Sequence, residues 1–166
     1  MSPERILSKL GITNVITVSE NDSVEQALRL LDEKQVRAAP VVDDNGVFKG
    51  MFSTHEIIKA LVPSYMTQGI QSLDFATGAS TVLASRLKQM FPTRVGNHVL
   101  EDDCVKITDK TNTWEALRML TRYGSPIPVV DPHTKKLIGL ISEQSAIDAL
   151  LHMEEDDSEN DSEDNI

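Results

Sequence analysis

The residues that could perform catalytic or metal chemistry are few and widely spaced along the chain. The four histidines, His55, His98, His133 and His152, form no His-x-x-x-His pair, and Cys104 is the single cysteine. The sequence therefore predicts no metal site and no disulfide within the chain. Glycine-rich phosphate loops of the GxGxxG or GxxxxGK[ST] type do not occur either. Without a nucleophile paired with a base, we do not expect an enzyme.

Two serines occupy positions where a polar side chain can act at the start of a helix. Ser53 and Ser142 each follow an apolar run, at a strand-to-helix junction where serine commonly caps the helix. Glu56 lies in the first turn after Ser53, where the helix dipole favours a carboxylate. The role of these side chains depends on the elements that position them.

The chain contains an internal repeat. Residues 23–31 match residues 112–120 at an offset of 89, with four of nine positions identical. Downstream, Pro-Val-Val-Asp occurs at 40–43 and 128–131, and Gly-apolar-apolar-Ser occurs at 50–53 and 139–142. Three matches in the same order indicate two copies of one structural unit.

Each copy predicts the same order of elements, β-α-β-β-α. A β-branched run at 15–18, and again at 105–108, precedes a helix-capping stretch and an amphipathic helix. Two apolar runs joined by a turn predict a hairpin, and closing helices follow at 55–61 and 146–151. A unit of about 55 residues is marginal alone. We therefore expect two three-stranded sheets that pack together with pseudo-twofold symmetry and leave clefts at the joint.

These elements divide the chain into four predicted parts. Residues 1–62 hold an N-terminal helix and the first copy, and residues 103–153 hold the second copy. Residues 63–102 form a connector with an amphipathic helix, because Ala79, Leu83, Leu87 and Met90 fall on one helical face. Residues 154–166 are acidic and almost free of apolar side chains, which predicts a disordered tail.

Composition and charge are those of an ordinary globular protein. The 166 residues are 40% hydrophobic, and no apolar run is long enough to span a membrane. The net charge of -10 comes largely from the tail, since the remainder holds 18 acidic and 16 basic residues. Nucleic acid is a poor candidate partner, because binding it needs a basic stripe. We expect a soluble, cytoplasmic protein.

With its repeated Pro-Val-Val-Asp and Gly-apolar-apolar-Ser segments, the chain resembles a tandem pair of CBS (cystathionine-β-synthase) domains, often called a Bateman module. The resemblance covers about residues 12–62 and 103–152. It implies an α/β (α+β) fold of two β-α-β-β-α repeats. It also implies a regulatory module that binds an adenosyl nucleotide, such as AMP, ADP, ATP or S-adenosylmethionine, in the cleft between the repeats. Such modules signal occupancy to a partner protein, here unidentified, and often pair into homodimers.

The resemblance also implies which residues bind the ligand. The family's motif is Gly-apolar-apolar-(Ser/Thr)-x-x-Asp, in which the hydroxyl and the carboxylate hold the phosphate and ribose. A carboxylate can accept hydrogen bonds from both ribose hydroxyls. The first copy carries Ser53 and Glu56, whereas the second carries Ser142 and, in place of the carboxylate, Ser145. We therefore expect one strong site in the first copy and a weak or altered one in the second.

The adenine, by the same resemblance, lies against the backbone at the start of each hairpin and beside the first strand of each copy. The implied residues are Ile16, Thr17, Ala39 and Pro40 in the first copy and Ile107, Ile127 and Pro128 in the second. Arg37, His55 and Arg122 are the nearest cations for the phosphates.

These assignments have structural alternatives. Ser53 and Ser142 could act only as caps, and Arg37 and His55 could be ordinary solvated residues. Trp114 is interpreted as a helix packing residue. For the whole chain, the alternative is a nucleotide-independent scaffold that docks partners through the connector helix or the acidic tail. The absence of a carboxylate at Ser145 favours this alternative.

Overall fold

The computed structural model describes residues 15–62, 79–99 and 104–152, which form two compact units. The unit Ile16–Cys104 contains β1 (Val18–Ser19), α1 (Val24–Glu33), β2 (Ala38–Val42), β3 (Phe48–Ser53), α2 (Thr54–Leu61), the connector helix α3 (Ala79–Met90) and a 3-10 turn (Val95–His98). The other unit contains β4 (Ile107–Thr108), α4 (Thr113–Tyr123), β5 (Ile127–Val130), β6 (Leu137–Ile141) and α5 (residues 143–152). The predicted order β-α-β-β-α is confirmed in both copies.

The two sheets share one topology and one register. Their strand orders are β1-β2-β3 and β4-β5-β6, each with a parallel first pair and an antiparallel second pair. Pro40 pairs with Met51 in the first sheet, and Pro128 pairs with Leu140 in the second. Each hairpin has an irregularity at the same place, directly after Val41 or Val129. The repeat found in the sequence is therefore a repeat of backbone geometry, and the predicted α+β fold is confirmed.

The first strand of each copy is shorter than predicted. Pairing begins only at Val18 and Ile107, although the β-branched runs start three and two residues earlier. Their partners are Val41 and Val129, each of which directly follows a proline in the central strand. Proline has no N–H to donate to a neighbouring strand, so the parallel ladder starts one residue later.

Side-chain caps determine where the helices begin. The Ser23 hydroxyl accepts a hydrogen bond from the Gln26 amide at 3.2 Å, and the Asn112 side chain accepts one from the Glu115 amide at 2.9 Å. These caps lie 89 residues apart, as the repeat requires. Helix α5 begins at residue 143, three residues before its predicted start. The earlier start follows from the position of Ser142, which caps the helix directly.

Each unit has its own apolar core. Within the described residues, the first is built from ten buried ones: Val18, Val24, Ala27, Leu31, Ala39, Val41, Phe52, Ile57, Leu61 and Val95. Leu83, Leu87 and Met90 of α3 pack against it, which confirms the predicted amphipathic connector helix. The Arg86 guanidinium donates to the Leu61 carbonyl at 3.0 Å and so fixes α3 to the end of α2. The second core contains Ile107, Ala116, Leu120, Ile127, Val129, Ile141 and Ala146.

The interpretation of Trp114 as a packing residue is wrong, because 85% of its surface is exposed. Helix α4 buries Ala116 and Leu120, and residues two positions apart do not share a helix face. The predicted N-terminal helix and the acidic tail lie outside the described residues. Among the helices that the structure does describe, none is both long and apolar enough to cross a membrane.

Candidate ligand-binding site

The first copy brings its predicted site residues together where β3 passes into α2. Ser53 is the last residue of β3 and the N-cap of α2, and it lies opposite Ala38 in the sheet. Thr54 donates to the Arg37 carbonyl twice, from its backbone N–H at 3.0 Å and from its hydroxyl at 3.4 Å. The start of β2 and the start of α2 are therefore held side by side. The predicted segments 37–40 and 53–56 form one surface.

The Ser53 hydroxyl is compatible with both of its proposed roles. Its oxygen accepts a hydrogen bond from the Glu56 amide at 3.2 Å, which caps α2. A serine hydroxyl can accept through its lone pairs and still donate its own proton. Ser53 is half-buried, so that proton can reach a ligand at the surface. Capping does not compete with binding an anion at this position.

The Glu56 carboxylate is open to solvent. Its only ion pair among the described residues is with Lys59, at 4.0 Å, and the two side chains are 53% and 72% exposed. An exposed pair at this distance is worth little, about 0–1 kcal/mol. Arg37 and His55 are also exposed. The junction thus presents a hydroxyl, a carboxylate and two basic side chains on neighbouring residues.

In the equivalent junction of the second copy, the two serines of the motif hydrogen-bond to each other. The Ser142 amide donates to the Ser145 hydroxyl oxygen at 2.9 Å, and the Ser145 amide donates to the Ser142 hydroxyl oxygen at 3.1 Å. The Ser145 hydroxyl also donates to the Ser142 carbonyl at 3.1 Å. This is a reciprocal cap in which Ser145 occupies the position normally held by a longer polar residue. The second copy therefore differs from the first in geometry as well as in charge.

The second junction also contains a contact that the sequence analysis missed. The nearby Ser125 side chain, together with the backbone N–H of Glu143, lowers the pKa of the Glu143 carboxyl. Ser125 and Glu143 are the repeat counterparts of Arg37 and Thr54. Both copies thus link the start of the hairpin to the start of the closing helix, with different atoms. The feature of the sequence that could have identified these two residues is their position beside the repeated motifs.

Most of the residues predicted to line the adenine have buried side chains. Five of them are buried: Ala39, Pro40, Ile107, Ile127 and Pro128. Ile16 is half-buried and Thr17 is exposed. These five residues expose little of either their side chains or their backbone. In the second copy the guanidinium of Arg122 lies 5.3 Å from the centre of the Tyr123 ring.

The described residues hold no cluster of three or more histidine, cysteine, aspartate or glutamate side chains that could bind a metal ion. The polar groups at the first junction instead suit an organic anion. Such a ligand would use the hydroxyl as a donor and the carboxylate as an acceptor.

Comparison with known proteins gives two matches to one family. The model of the CBS domain matches residues 7–63 and 95–152. The "CBS domain-containing protein CBSX2, chloroplastic" of Arabidopsis thaliana is 28% identical over 145 residues, which are 84% of this chain and 60% of that protein. "Uncharacterized protein MK0525" of Methanopyrus kandleri is 37% identical over 71 residues, 42% of this chain and 35% of that protein. The chain thus spans less than two thirds of the length of either relative.

Solved structures of the same kind are similar to this one. The crystal structure of CBSX2 in complex with AMP has a TM-score of 0.63 and 26% identity, and the match covers 90% of this chain and 97% of that one. A second structure of CBSX2 from Arabidopsis thaliana has a TM-score of 0.67 and 25% identity, and the match covers 90% and 96% of the two chains. A CBS domain-containing protein from Bacillus anthracis shares the fold at 18% identity, with a TM-score of 0.64 and coverage of 88% and 92%.

Proposed function

Because this chain belongs to the CBS domain family, we propose that it is a regulatory module that binds an adenosyl nucleotide and signals its occupancy to a partner protein. One observation carries the proposal: the first junction places the Ser53 hydroxyl and the exposed Glu56 carboxylate beside the start of β2. The crystal structure of the similar CBSX2 with AMP supports the choice of ligand class.

Each group at the first junction has a proposed role that fits its chemistry. The Ser53 hydroxyl donates to a phosphate oxygen, and the Glu56 carboxylate accepts hydrogen bonds from the two ribose hydroxyls. Arg37 and His55 offset the phosphate charge. The adenine lies at the start of β2, near Ala39, Pro40 and Thr17.

We propose that the two copies bind with unequal strength. In the second copy the Ser145 hydroxyl already hydrogen-bonds to Ser142, and no carboxylate stands at its position. Using Ser145 for a ribose would break its cap and return only neutral hydrogen bonds, which are about half as strong as charge-assisted ones. The strong site is therefore the one at Ser53 and Glu56.

The proposed mechanism of regulation is a shift between two arrangements of the protein. A ligand shifts the populations of the two arrangements only by the difference in its binding free energy for them. A difference of about 1.4 kcal/mol changes the population ratio tenfold. The partner protein recognises the change in arrangement, and the module itself performs no catalysis. Assembly as a homodimer and a cytoplasmic location belong to the same proposal.

Isothermal titration calorimetry with AMP, ADP, ATP and S-adenosylmethionine tests the proposal. We expect saturable binding of at least one ligand, lost in the double variant Ser53→Ala/Glu56→Ala. The matched control is Ser142→Ala/Ser145→Ala, which removes the cap of the second copy and should keep the binding. If none of the four ligands binds, the nucleotide proposal fails and the scaffold alternative replaces it.

A further inference from the structure

The connector helix α3 is bonded to the far end of the helix that starts at the proposed ligand site. Helix α2 follows Ser53 and ends at Leu61. At that end the guanidinium of Arg86 in α3 donates to the Leu61 carbonyl at 3.0 Å. The last carbonyls of a helix have no partner within it and carry the negative end of its dipole, so a cation suits them. A charged donor also makes the stronger kind of hydrogen bond.

Apolar contacts support the same connection between α3 and α2. Leu83, Leu87 and Met90 of α3 pack against the first core. Leu61 belongs to this core and is 6% exposed, whereas its repeat counterpart Leu150 in α5 is 40% exposed. The closing helix that is covered in this way belongs to the copy whose junction carries the carboxylate.

Beyond Met90 the chain continues into residues 91–96, which we call the strap. The Thr93 amide and hydroxyl both donate to the Met90 carbonyl, at 3.0 and 2.6 Å, and so close the end of α3. The Thr93 hydroxyl oxygen also lies 2.8 Å from Nε2 of His98. Because the hydroxyl proton is used by Met90, the ring nitrogen is the donor in this second bond. Helix α3 and the strap therefore form one connected piece.

The strap is bonded to the turn between β1 and α1. Four backbone hydrogen bonds join the two segments: Val24 N–H to Thr93 O at 2.9 Å, Glu25 N–H to Phe91 O at 3.3 Å, Val95 N–H to Asp22 O at 2.9 Å, and Gly96 N–H to Glu20 O at 3.0 Å. Val95 is completely buried in the first core, and the 3-10 turn that starts there contacts β1 and β3. Main-chain hydrogen bonds and apolar burial therefore hold this end of the piece.

Helix α3 and the strap together connect the two elements that a nucleotide would also connect. In the proposed function the phosphate and ribose lie at the start of α2, and the adenine lies near Thr17, which comes directly before β1. Helix α2 has eight residues and is about 12 Å long, so its two ends move together as a short rod. A shift of α2 relative to β1 must therefore carry α3 with it or break the bond between Arg86 and Leu61.

The packing of α3 is light compared with that of the strap. Over residues 81–90, for which burial is described, no side chain of α3 is fully buried, and the apolar residues that contact the core are half-buried. Elements with few buried apolar contacts open at low free-energy cost, and the elements that move in allostery are drawn from them. Helix α3 is therefore the part of this piece that can change position while the strap stays in place.

We propose that α3 responds to nucleotide binding at the first junction, and that Arg86 is the positioning residue that couples α3 to α2. This role rests on the proposed function, because it names the element whose position a partner protein recognises. A nucleotide at the start of α2 favours the arrangement in which Arg86 holds the Leu61 carbonyl, and α3 leaves α2 more often when the site is empty. Since such coupling is reciprocal, loss of the Arg86 bond weakens nucleotide binding by the factor by which the nucleotide strengthens the docking of α3.

Amide hydrogen exchange of the full-length protein, with and without saturating AMP, tests the coupling. We expect AMP to slow exchange at residues 83–90 at least about fivefold, together with slowing at residues 53–56. In Arg86→Met the response of α3 should be lost while that of residues 53–56 remains, and the dissociation constant for AMP should rise at least about fivefold. The matched control is Lys88→Met, which removes an exposed cation from the same helix and should leave both quantities within about twofold of the wild type.

The results distinguish a failure of this coupling from a failure of nucleotide binding. Slowing at residues 53–56 without slowing in α3 overturns the role of α3 and leaves the nucleotide site in place. An α3 response that persists in Arg86→Met, or that Lys88→Met removes equally, overturns the role of Arg86. The same measurement is made with ADP, ATP and S-adenosylmethionine. If none of the four ligands slows exchange at either place in the wild type, the coupling fails together with the proposed function.

Discussion

Ser53→Ala and Ser142→Ala remove equivalent caps but should have unequal effects on ligand binding. The Ser53 hydroxyl accepts the Glu56 amide at 3.2 Å, and the Ser142 hydroxyl accepts the Ser145 amide at 3.1 Å. Loss of either cap should lower the free energy of unfolding by about 1 kcal/mol. Only Ser53 is proposed to donate to a phosphate, and losing a hydrogen bond to a charged group costs about 1.5–3 kcal/mol. The dissociation constant should therefore rise roughly 10- to 150-fold in Ser53→Ala.

Both quantities are measurable on the same samples. Urea denaturation of each variant gives the free energy of unfolding, and calorimetry with the best ligand gives the dissociation constant. In Ser142→Ala we expect the same loss of stability and a dissociation constant within about twofold of the wild type. If both variants weaken binding equally, the proposed asymmetry is wrong. If Ser53→Ala loses stability but binds as the wild type does, Ser53 is only a cap.

Three further predictions concern single residues. Glu56→Gln should weaken nucleotide binding about tenfold or more because the charge that strengthens the ribose bonds is lost, whereas Lys59→Ala should leave calorimetric affinity within about twofold. The lowered pKa of Glu143, whose largest cause is the Ser125 side chain, means that the ionised carboxylate stabilises the folded state above the ordinary value of 4.5 and that this contribution is lost as the pH falls through the folded pKa. Thermal unfolding midpoints of the wild type should therefore fall more steeply below this value than those of Glu143→Gln, and parallel curves would contradict the assignment. Gly124→Ala should cost about 1–3 kcal/mol in urea denaturation through backbone strain alone, since φ is +76° and an added Cβ meets no atom within 4 Å; an unchanged midpoint would contradict this.

The sequence was sufficient to predict the repeated elements, because they depend on local patterns that recur at one offset. Ser23 and Asn112 cap equivalent helices, and the strand registers of the two hairpins agree residue for residue at Pro40 and Pro128. The connector helix was equally visible, since Leu83 and the apolar residues in phase with it pack against the first core. Periodicity and turn chemistry determine these features within a few residues of chain.

Side-chain contacts between separate segments were not predictable in this way. Ser125 and Glu143, whose proximity lowers the pKa of Glu143, lie 18 positions apart, and neither belongs to a repeated motif. The hydrogen bond from the Ser145 hydroxyl to the Ser142 carbonyl depends on the side-chain rotamer of Ser145, which the spacing of residues in the sequence does not determine. The interpretation of Trp114 as a packing residue was wrong because its phase on α4 leaves it outside the core. The predicted domain boundaries and the pseudo-twofold arrangement of the copies stay predictions.

The central claim is that an adenosyl nucleotide binds at the junction between β3 and α2, and an AMP titration followed by backbone amide chemical shifts tests it most directly. The account predicts saturable shifts at Ala39, Ser53, Thr54 and Glu56, with much smaller changes at Ser142 and Ser145. Saturable shifts centred on Ser142 instead, or no shift at any of these amides with any of the four adenosyl ligands, would contradict it.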